Sequence, residues 1–178
     1  MKKFLTAIMA IFLTTMGAGA MDMENTIYLD LKDGRVVIEL DESAAPKHVA
    51  RIKELTRMGF YDGVRFHRVI PGFMAQTGDP QGTGMGGSGQ KLAAEFNKTP
   101  HVRGVVSMAR ANDVNSADSQ FFIVFGDARF LDGQYTAFGK VTSGMEFVDK
   151  IKSGTRENNG AVADPDVIIK MTVASDVE

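Results

Sequence analysis

FHRVIPGFMAQTGD, at positions 66–79, is the most informative segment of the chain. Apolar residues on both sides of Pro71-Gly72 predict two strands, Val64–Ile70 and Gly72–Thr77, because this pair is typical of a type II turn. Arg68 lies in the first strand, where a charged side chain is costly unless it faces solvent or a cleft that holds partners for it. The segment therefore predicts two strands around a turn, with one unusual charge.

A second informative segment is SQFFIVF, at positions 119–125. Strand alternation places side chains on two faces, one with Gln120, Phe122 and Val124 and the other with Phe121, Ile123 and Phe125. One face can form core, and the other then offers an amide beside an aromatic ring, as a site for a small apolar ligand would. Plain core packing stays open as an alternative for both segments, because aromatic strands are usually core.

The rest of the chain adds short strands and two helices. A hairpin is predicted over Asn25–Leu40, with Asp33-Gly34 as its turn. Apolar residues at helical spacing predict helices over Pro46–Met58 and Gly144–Lys152. Many short strands with glycine-rich turns favour an antiparallel barrel or a sandwich, and the pattern does not choose between them. The other predicted strands are Val105–Ala109, Thr136–Val141 and Asp166–Val173.

The first 20 residues differ from the rest. Met1-Lys2-Lys3 is basic, Phe4–Met16 is mostly apolar, and Ala18-Gly19-Ala20 provides the small residues of a cleavage site. This pattern predicts a secretory signal peptide over 1–20, with cleavage after Ala20 and an exported domain over 21–178. An uncleaved anchor is the alternative, although a membrane span needs about 20 apolar residues.

Composition excludes several classes of function. The chain has no cysteine, which rules out disulfides, thiol catalysis and cysteine-ligated metals. Without Lys2 and Lys3 the charge is 18 − 22 = −4, which argues against binding of nucleic acid. The three histidines lack ligand spacing, so no metal is predicted. His67 is predicted to point away from Arg68, as a hydrogen-bonded structural residue.

A glycine-rich segment, Gly82–Gly87, matches the pattern GxGxxG. A dinucleotide site requires a strand before this pattern and a helix after it, and the flanking residues indicate neither. We therefore predict a surface loop whose backbone needs positive φ or close approach, and no cofactor. An oxidoreductase would rest on this match alone.

Several long segments carry a more specific signal, in one order along the chain: Phe66–Asp79, Ser107–Ala111 (SMARA), Asn115–Ile123 (NSADSQFFI) and Leu131–Gly139 (LDGQYTAFG). In these segments the chain resembles the cyclophilin-type peptidyl-prolyl cis–trans isomerases, in particular their bacterial exported branch. The resemblance implies a mainly β fold, a closed eight-stranded antiparallel β-barrel capped by two α-helices. It also implies a periplasmic, monomeric enzyme without cofactor that isomerises X–Pro bonds in unfolded or partly folded polypeptides and so assists folding.

The resemblance also assigns roles to matching positions. Arg68 matches the catalytic arginine. The wall of the proline pocket matches Phe73, Met74, Phe122 and Leu131. Groups that bind the substrate backbone match Gln76 and Gln120, and the strand along the peptide matches Ala109, Arg110 and Ala111. Two further positions of the cleft rim match Phe130 and Tyr135.

Three positions depart from the family. Phe130 stands where many eukaryotic members have Trp, the residue associated with strong cyclosporin binding, so we predict that cyclosporin binds weakly. Arg110 stands where those members have Asn, and Asp118 replaces a common Gly. A binding module of another class, a chaperone-like clamp for Pro-containing segments with incidental turnover, would use the same pocket. No stable membrane association is expected after the signal peptide is removed.

Overall fold

The structure, a computed structural model, describes residues 21–177. Its eight strands are β1 Thr26–Leu31, β2 Gly34–Leu40, β3 Arg68–Ile70, β4 Met74–Thr77, β5 Val105–Met108, β6 Phe121–Val124, β7 Ala137–Ser143 and β8 Lys170–Val173. Its two α-helices are α1 Pro46–Arg57 and α2 Met145–Val148, and three short 3₁₀ helices cover Met23–Asn25, Arg129–Leu131 and Ala174–Asp176. The predicted mainly β fold with eight antiparallel strands and two helices is confirmed. Within the described residues, no helix has the length and apolar character needed to cross a membrane.

The sheet is a curled half-barrel rather than the closed barrel that the resemblance implies. Its strand order is β3-β4-β6-β5-β7-β2-β1-β8, and the edge strands β3 and β8 do not pair with each other. An isolated bridge between Arg65 and Val167 and a backbone hydrogen bond from Phe66 N to Asp166 O connect the segments that precede them.

Local signals explain the best-predicted elements. The hairpin of β1 and β2 turns through Lys32 and Asp33, one residue earlier than predicted, and Gly34 begins β2. A Cβ atom at Gly34 would lie 2.6 Å from the Phe147 ring, so a larger residue would displace that ring. Helix α1 begins at Pro46, whose missing N–H is not needed in the first turn. It ends before Gly59, whose φ of +68° is readily adopted only by glycine. The predicted second helix shortens to α2, because Lys150 N and Ile151 N bond three residues back instead of four.

Alternation along β6 separates two apolar clusters, as predicted. Phe121 and Ile123 belong to the main core on the helix-covered side of the sheet. Phe122 and Val124 belong to a second cluster on the other side. The second cluster also contains Ile70, Met74, Val105, Ala128, Leu131 and Ala137, with Phe73 and Tyr135 packed against it. Met74, Phe122 and Leu131 of this cluster form the floor of a cleft.

Candidate active site

A cleft of about 720 Å³ lies over the second cluster. It contains ten of the predicted site residues: Arg68, Phe73, Met74, Gln76, Ala109, Arg110, Phe122, Phe130, Leu131 and Tyr135. The other two, Ala111 and Gln120, line an adjoining cavity of about 350 Å³, which shares Gln76, Ala109 and Arg110 with the cleft. The structure therefore brings together all twelve residues from separate parts of the sequence.

The floor of the cleft is apolar and firmly packed. Met74, Phe122 and Leu131 are at most 8% exposed. The Phe122 ring meets Tyr135 edge to face, with 5.9 Å between ring centroids. Phe130 stands at the rim, 65% exposed, with its ring centroid 5.4 Å from that of Phe73. Such a preformed apolar pocket with a few polar groups at its edge suits a small ring.

Arg68 borders this pocket and is fixed by three hydrogen bonds. Its Nε donates to the carbonyl oxygen of Asn159 at 3.0 Å, and its Nη2 donates to Asn159 Oδ1 at 2.9 Å. Its Nη1 donates to Gln76 Oε1 at 3.1 Å, across the β3–β4 pair. Burial lowers the pKa of the guanidinium, but the pKa of arginine lies so far above neutral pH that the group stays charged. Because a guanidinium has five N–H groups, two remain for a ligand.

A hydrogen-bond chain continues from Arg68 to the glycine-rich loop. Gln76 Nε2 donates to Gln120 Oε1 at 2.9 Å. Gln120 Nε2 in turn donates to the carbonyl oxygens of Gly84 at 3.1 Å and Gly86 at 2.8 Å. Both amides are thus oriented, with the Gln120 carbonyl facing Gln76. The catalytic candidate and the loop belong to one connected network.

The glycine-rich loop is built around the buried carboxylate of Asp79. That carboxylate accepts from the backbone N–H groups of Gln81, Thr83, Gly84 and Gly86. Burial alone would raise the pKa of Asp79, but these donors lower it to about 2. A Cβ atom at Gly86 would overlap Asp79 Oδ1, so only glycine lets the loop backbone come this close to the carboxylate. The prediction of a loop with glycines at positive φ or in close approach is confirmed.

Sequence reasoning missed one wall of the cleft. This wall comes from the segment between α2 and β8 and consists of Asn158, Asn159, Ala161 and Val162. Asn159 adopts φ of +57°, which directs both of its oxygens to Arg68. The tripeptide Asn-Asn-Gly at 158–160 is a turn signal, but it does not indicate which residue the turn contacts.

The prediction for His67 is wrong. His67 lines the same cleft as Arg68, and neither of its ring nitrogens has a hydrogen-bond partner. Strand alternation does not apply to it, because β3 begins only at Arg68. Burial lowers the pKa of the imidazole, which favours the neutral form beneath the Gly82–Met85 segment.

The structure also shows a buried Ser–His–Asp arrangement that the sequence did not indicate. His101 Nδ1 lies 2.9 Å from Asp132 Oδ1, and its Nε2 lies 2.9 Å from Ser107 Oγ. Ser107 is fully buried and His101 is 1% exposed, so no substrate reaches the hydroxyl. His101 stacks on Phe122 instead, with 6.3 Å between ring centroids, and supports the cleft floor from behind.

Comparison with known proteins identifies the family. Residues 25–173 match the family model described as cyclophilin type peptidyl-prolyl cis-trans isomerase/CLD. The chain belongs to this family. The predicted enzyme class, a peptidyl-prolyl cis–trans isomerase, is confirmed by the family and by named relatives.

Two relatives illustrate the similarity in sequence. A probable peptidyl-prolyl cis-trans isomerase of Brucella suis is 57% identical, over 90% of this chain and 88% of its own. Peptidyl-prolyl cis-trans isomerase B of Bacillus subtilis is 47% identical, over 72% of this chain and 92% of its own.

Solved structures show the same fold. Cyclophilin AquaCyp293 from Hirschia baltica has a TM-score of 0.79 at 29% identity, over 88% of this chain and 76% of its own. A cyclophilin type isomerase of Cryptosporidium parvum, crystallised in the presence of the dipeptide Ala-Pro, has a TM-score of 0.76 at 30% identity. That match covers 83% of this chain and 98% of the other.

Proposed function

We propose that this protein isomerises X–Pro bonds of exported polypeptides, with Arg68 as its catalytic residue. The observation that carries the proposal is a guanidinium fixed beside an apolar pocket by Gln76 and Asn159, with two N–H groups left to donate. No nucleophile is needed, because the reaction breaks no covalent bond.

The chemistry explains why a fixed donor suits this reaction. Rotation about the X–Pro bond crosses a barrier of about 18–20 kcal/mol, and uncatalysed exchange takes tens of seconds or more. Twisting breaks amide resonance and returns a lone pair to the prolyl nitrogen. A donor aimed at that nitrogen stabilises only the twisted state, which is the requirement for lowering a barrier. The planar, permanently charged guanidinium of Arg68 is such a donor.

The remaining residues hold the two sides of the bond. The proline ring is enclosed by Phe73, Met74, Phe122 and Leu131. This prevents the prolyl side of the bond from rotating together with the preceding residue. Gln76 and Gln120, both already oriented, bind the backbone on the other side, along Ala109, Arg110 and Ala111. Phe130 and Tyr135 border the entrance. The Ala-Pro dipeptide used with the Cryptosporidium parvum relative supports a site for Pro-containing peptides.

The magnitudes require more than Arg68. Shortening exchange from tens of seconds to milliseconds requires about 10⁴-fold acceleration, or about 5–6 kcal/mol. One preorganised donor in a dry site supplies about 3–4 kcal/mol. Water exclusion by the packed floor and a bound peptide that is already partly twisted supply the difference.

Arg68→Lys tests the donor geometry. Lysine keeps the positive charge but loses the planar fork, so it cannot hold Gln76 and Asn159 and donate to substrate at once. We expect kcat/KM for an Ala-Pro-containing peptide to fall about tenfold or more in exchange NMR. Full activity of Arg68→Lys would show that charge alone is sufficient.

We further propose that the protein acts in the periplasm as a monomer after removal of residues 1–20. The basic start, the short apolar run and the small residues before Met21 support export. These 20 residues lie outside the described part of the chain. Mass spectrometry of the protein from a periplasmic extract should give an N-terminus at Met21. Recovery of Met1 from the membrane fraction would contradict cleavage.

A further inference from the structure

Asp118, in the segment before β6, binds the far end of the glycine-rich loop. Its carboxylate accepts from Ser88 N at 2.7 Å, from Gly89 N at 3.0 Å and from the Ser88 hydroxyl. Ser88 Oγ also accepts from Arg51 Nη2 at 2.8 Å. The segment before β6, the loop and helix α1 therefore meet at Ser88.

The loop is shaped to receive this carboxylate. A Cβ atom at Gly87 would lie 2.7 Å from Asp118 Oδ2, so a larger residue would displace either the loop or the carboxylate. Asp79 holds the near end of the loop and Asp118 holds the far end. The carbonyl of Gly86, which orients the Gln120 amide, lies between the two attachments.

The same residues form the second cavity. Its lining includes Gly86, Gly87, Asp118, Gln120 and Ala109–Ala111. This cavity of about 350 Å³ adjoins the cleft and shares residues with it, so it offers room for a peptide longer than the X–Pro pair. The position of the loop thus sets the shape of the surface that meets such an extension.

We propose that Asp118 is a positioning residue, which holds the 86–89 loop as a wall of this second cavity and thereby sets the affinity for substrate residues beyond the X–Pro pair. The inference rests on the proposed function of the cleft. It concerns a property that a glycine at this position cannot provide, because glycine has no side chain to accept the loop's N–H groups. Chemistry at the X–Pro bond depends on Arg68, which keeps its hydrogen bonds to Gln76 and Asn159 without Asp118. Gln120 also keeps its bond to the Gly84 carbonyl, because Asp79 holds that end of the loop.

The test compares Asp118→Gly with wild type on two substrates, the Ala-Pro dipeptide and a heptapeptide with Ala-Pro at its centre. Exchange NMR gives kcat and KM for both. For Asp118→Gly we expect the KM for the heptapeptide to rise about tenfold, equivalent to about 1.4 kcal/mol. Its kcat, and kcat/KM for the dipeptide, should stay within about twofold of wild type, because loop contacts that act only on binding change KM and not kcat.

Two variants serve as controls. Asp41→Gly removes a similar carboxylate, whose Oδ1 accepts from Ser43 Oγ at 2.6 Å and from Ala44 N at 3.0 Å, away from both cavities. It should leave both substrates unchanged. Asp118→Asn keeps one carbonyl oxygen to accept from Ser88, so it should recover most of the heptapeptide affinity.

The proposal would be overturned if Asp118→Gly left KM for the heptapeptide unchanged, or if it lowered kcat/KM equally for both peptides. It would also be overturned if Asp41→Gly raised KM for the heptapeptide as much as Asp118→Gly. If Asp118→Gly does not fold, Asp118→Ala replaces it under the same criteria, because alanine also lacks an oxygen to accept from Ser88 and Gly89. Failure of the proposed function looks different, because wild type would then accelerate neither peptide.

Discussion

Asn159→Gly should weaken catalysis without disturbing the fold. Asn159 has φ of +57°, a conformation that glycine adopts readily. The substitution keeps the carbonyl oxygen that accepts from Arg68 Nε and deletes the Oδ1 that accepts from Nη2 at 2.9 Å. The variant therefore removes one of three constraints on the guanidinium and leaves the charge in place.

The expected loss follows from these contacts. A hydrogen bond to a charged group contributes about 1.5–3 kcal/mol. Two of the three bonds remain, to the Asn159 carbonyl and to Gln76, so the guanidinium gains freedom but stays at the cleft. We therefore expect the lower end of that range, which corresponds to a loss of kcat/KM of about tenfold.

Exchange NMR on an Ala-Pro-containing peptide measures this effect, with Asn158→Gly as the matched control. Asn158 is the neighbouring asparagine and also lines the cleft, but its side chain bonds Thr155 N and Ala161 O, not Arg68. Its replacement should cost about twofold or less, because only the loop loses contacts. Full activity of Asn159→Gly, or equal losses in both variants, would refute a role for Asn159 in holding Arg68.

Three further predictions concern the pocket, the loop and the rim. Phe122→Leu should raise KM for Ala-Pro peptides and lower the free energy of unfolding by about 1 kcal/mol, because the edge-to-face contact with Tyr135 is lost. Exchange NMR measures KM and urea unfolding measures the stability, and an unchanged KM would contradict the prediction. The carboxyl of Asp79 has a pKa of about 2 in the folded protein against an ordinary 3.8, so it should contribute about 2 kcal/mol of stability above pH 4 that is lost as pH falls to about 2. In urea unfolding across this range, the unfolding free energy of Asp79→Asn should depend less on pH than that of wild type, and identical curves would exclude the contribution. Wild type should bind cyclosporin more weakly than nanomolar and Phe130→Trp more tightly; a nanomolar wild-type dissociation constant in calorimetry would contradict the role given to the rim ring.

Short sequence signals were sufficient to predict the bounds of those elements that contacts between near neighbours in the chain determine. The β1–β2 hairpin and α1 have the predicted limits within a residue, because Asp33-Gly34, Pro46 and Gly59 act through their immediate neighbours. The strands at the sheet edges were predicted too long, since their pairing depends on partners far away in the chain. The break between β3 and β8 belongs to this class, since no local signal marks it, and the closed barrel was expected from the family resemblance alone.

The site shows the same division. The twelve residues carried by the family resemblance all line the cleft or its adjoining cavity, because they lie in long motifs with fixed neighbours. Asn159 contacts Arg68 across 91 positions of sequence, and nothing near either residue indicates the other. His67 was misplaced because alternation was extended one residue beyond the true start of β3.

The most direct test of the account is the activity of Arg68→Ala on an Ala-Pro-containing peptide. The fold should persist, because Arg68 is only partly buried and the pocket floor is formed by other residues. Exchange NMR should show that kcat/KM falls by about 10²–10³, as expected for the removal of one preorganised donor. Wild-type kcat/KM in a folded Arg68→Ala protein would contradict the assignment of Arg68 as the catalytic residue.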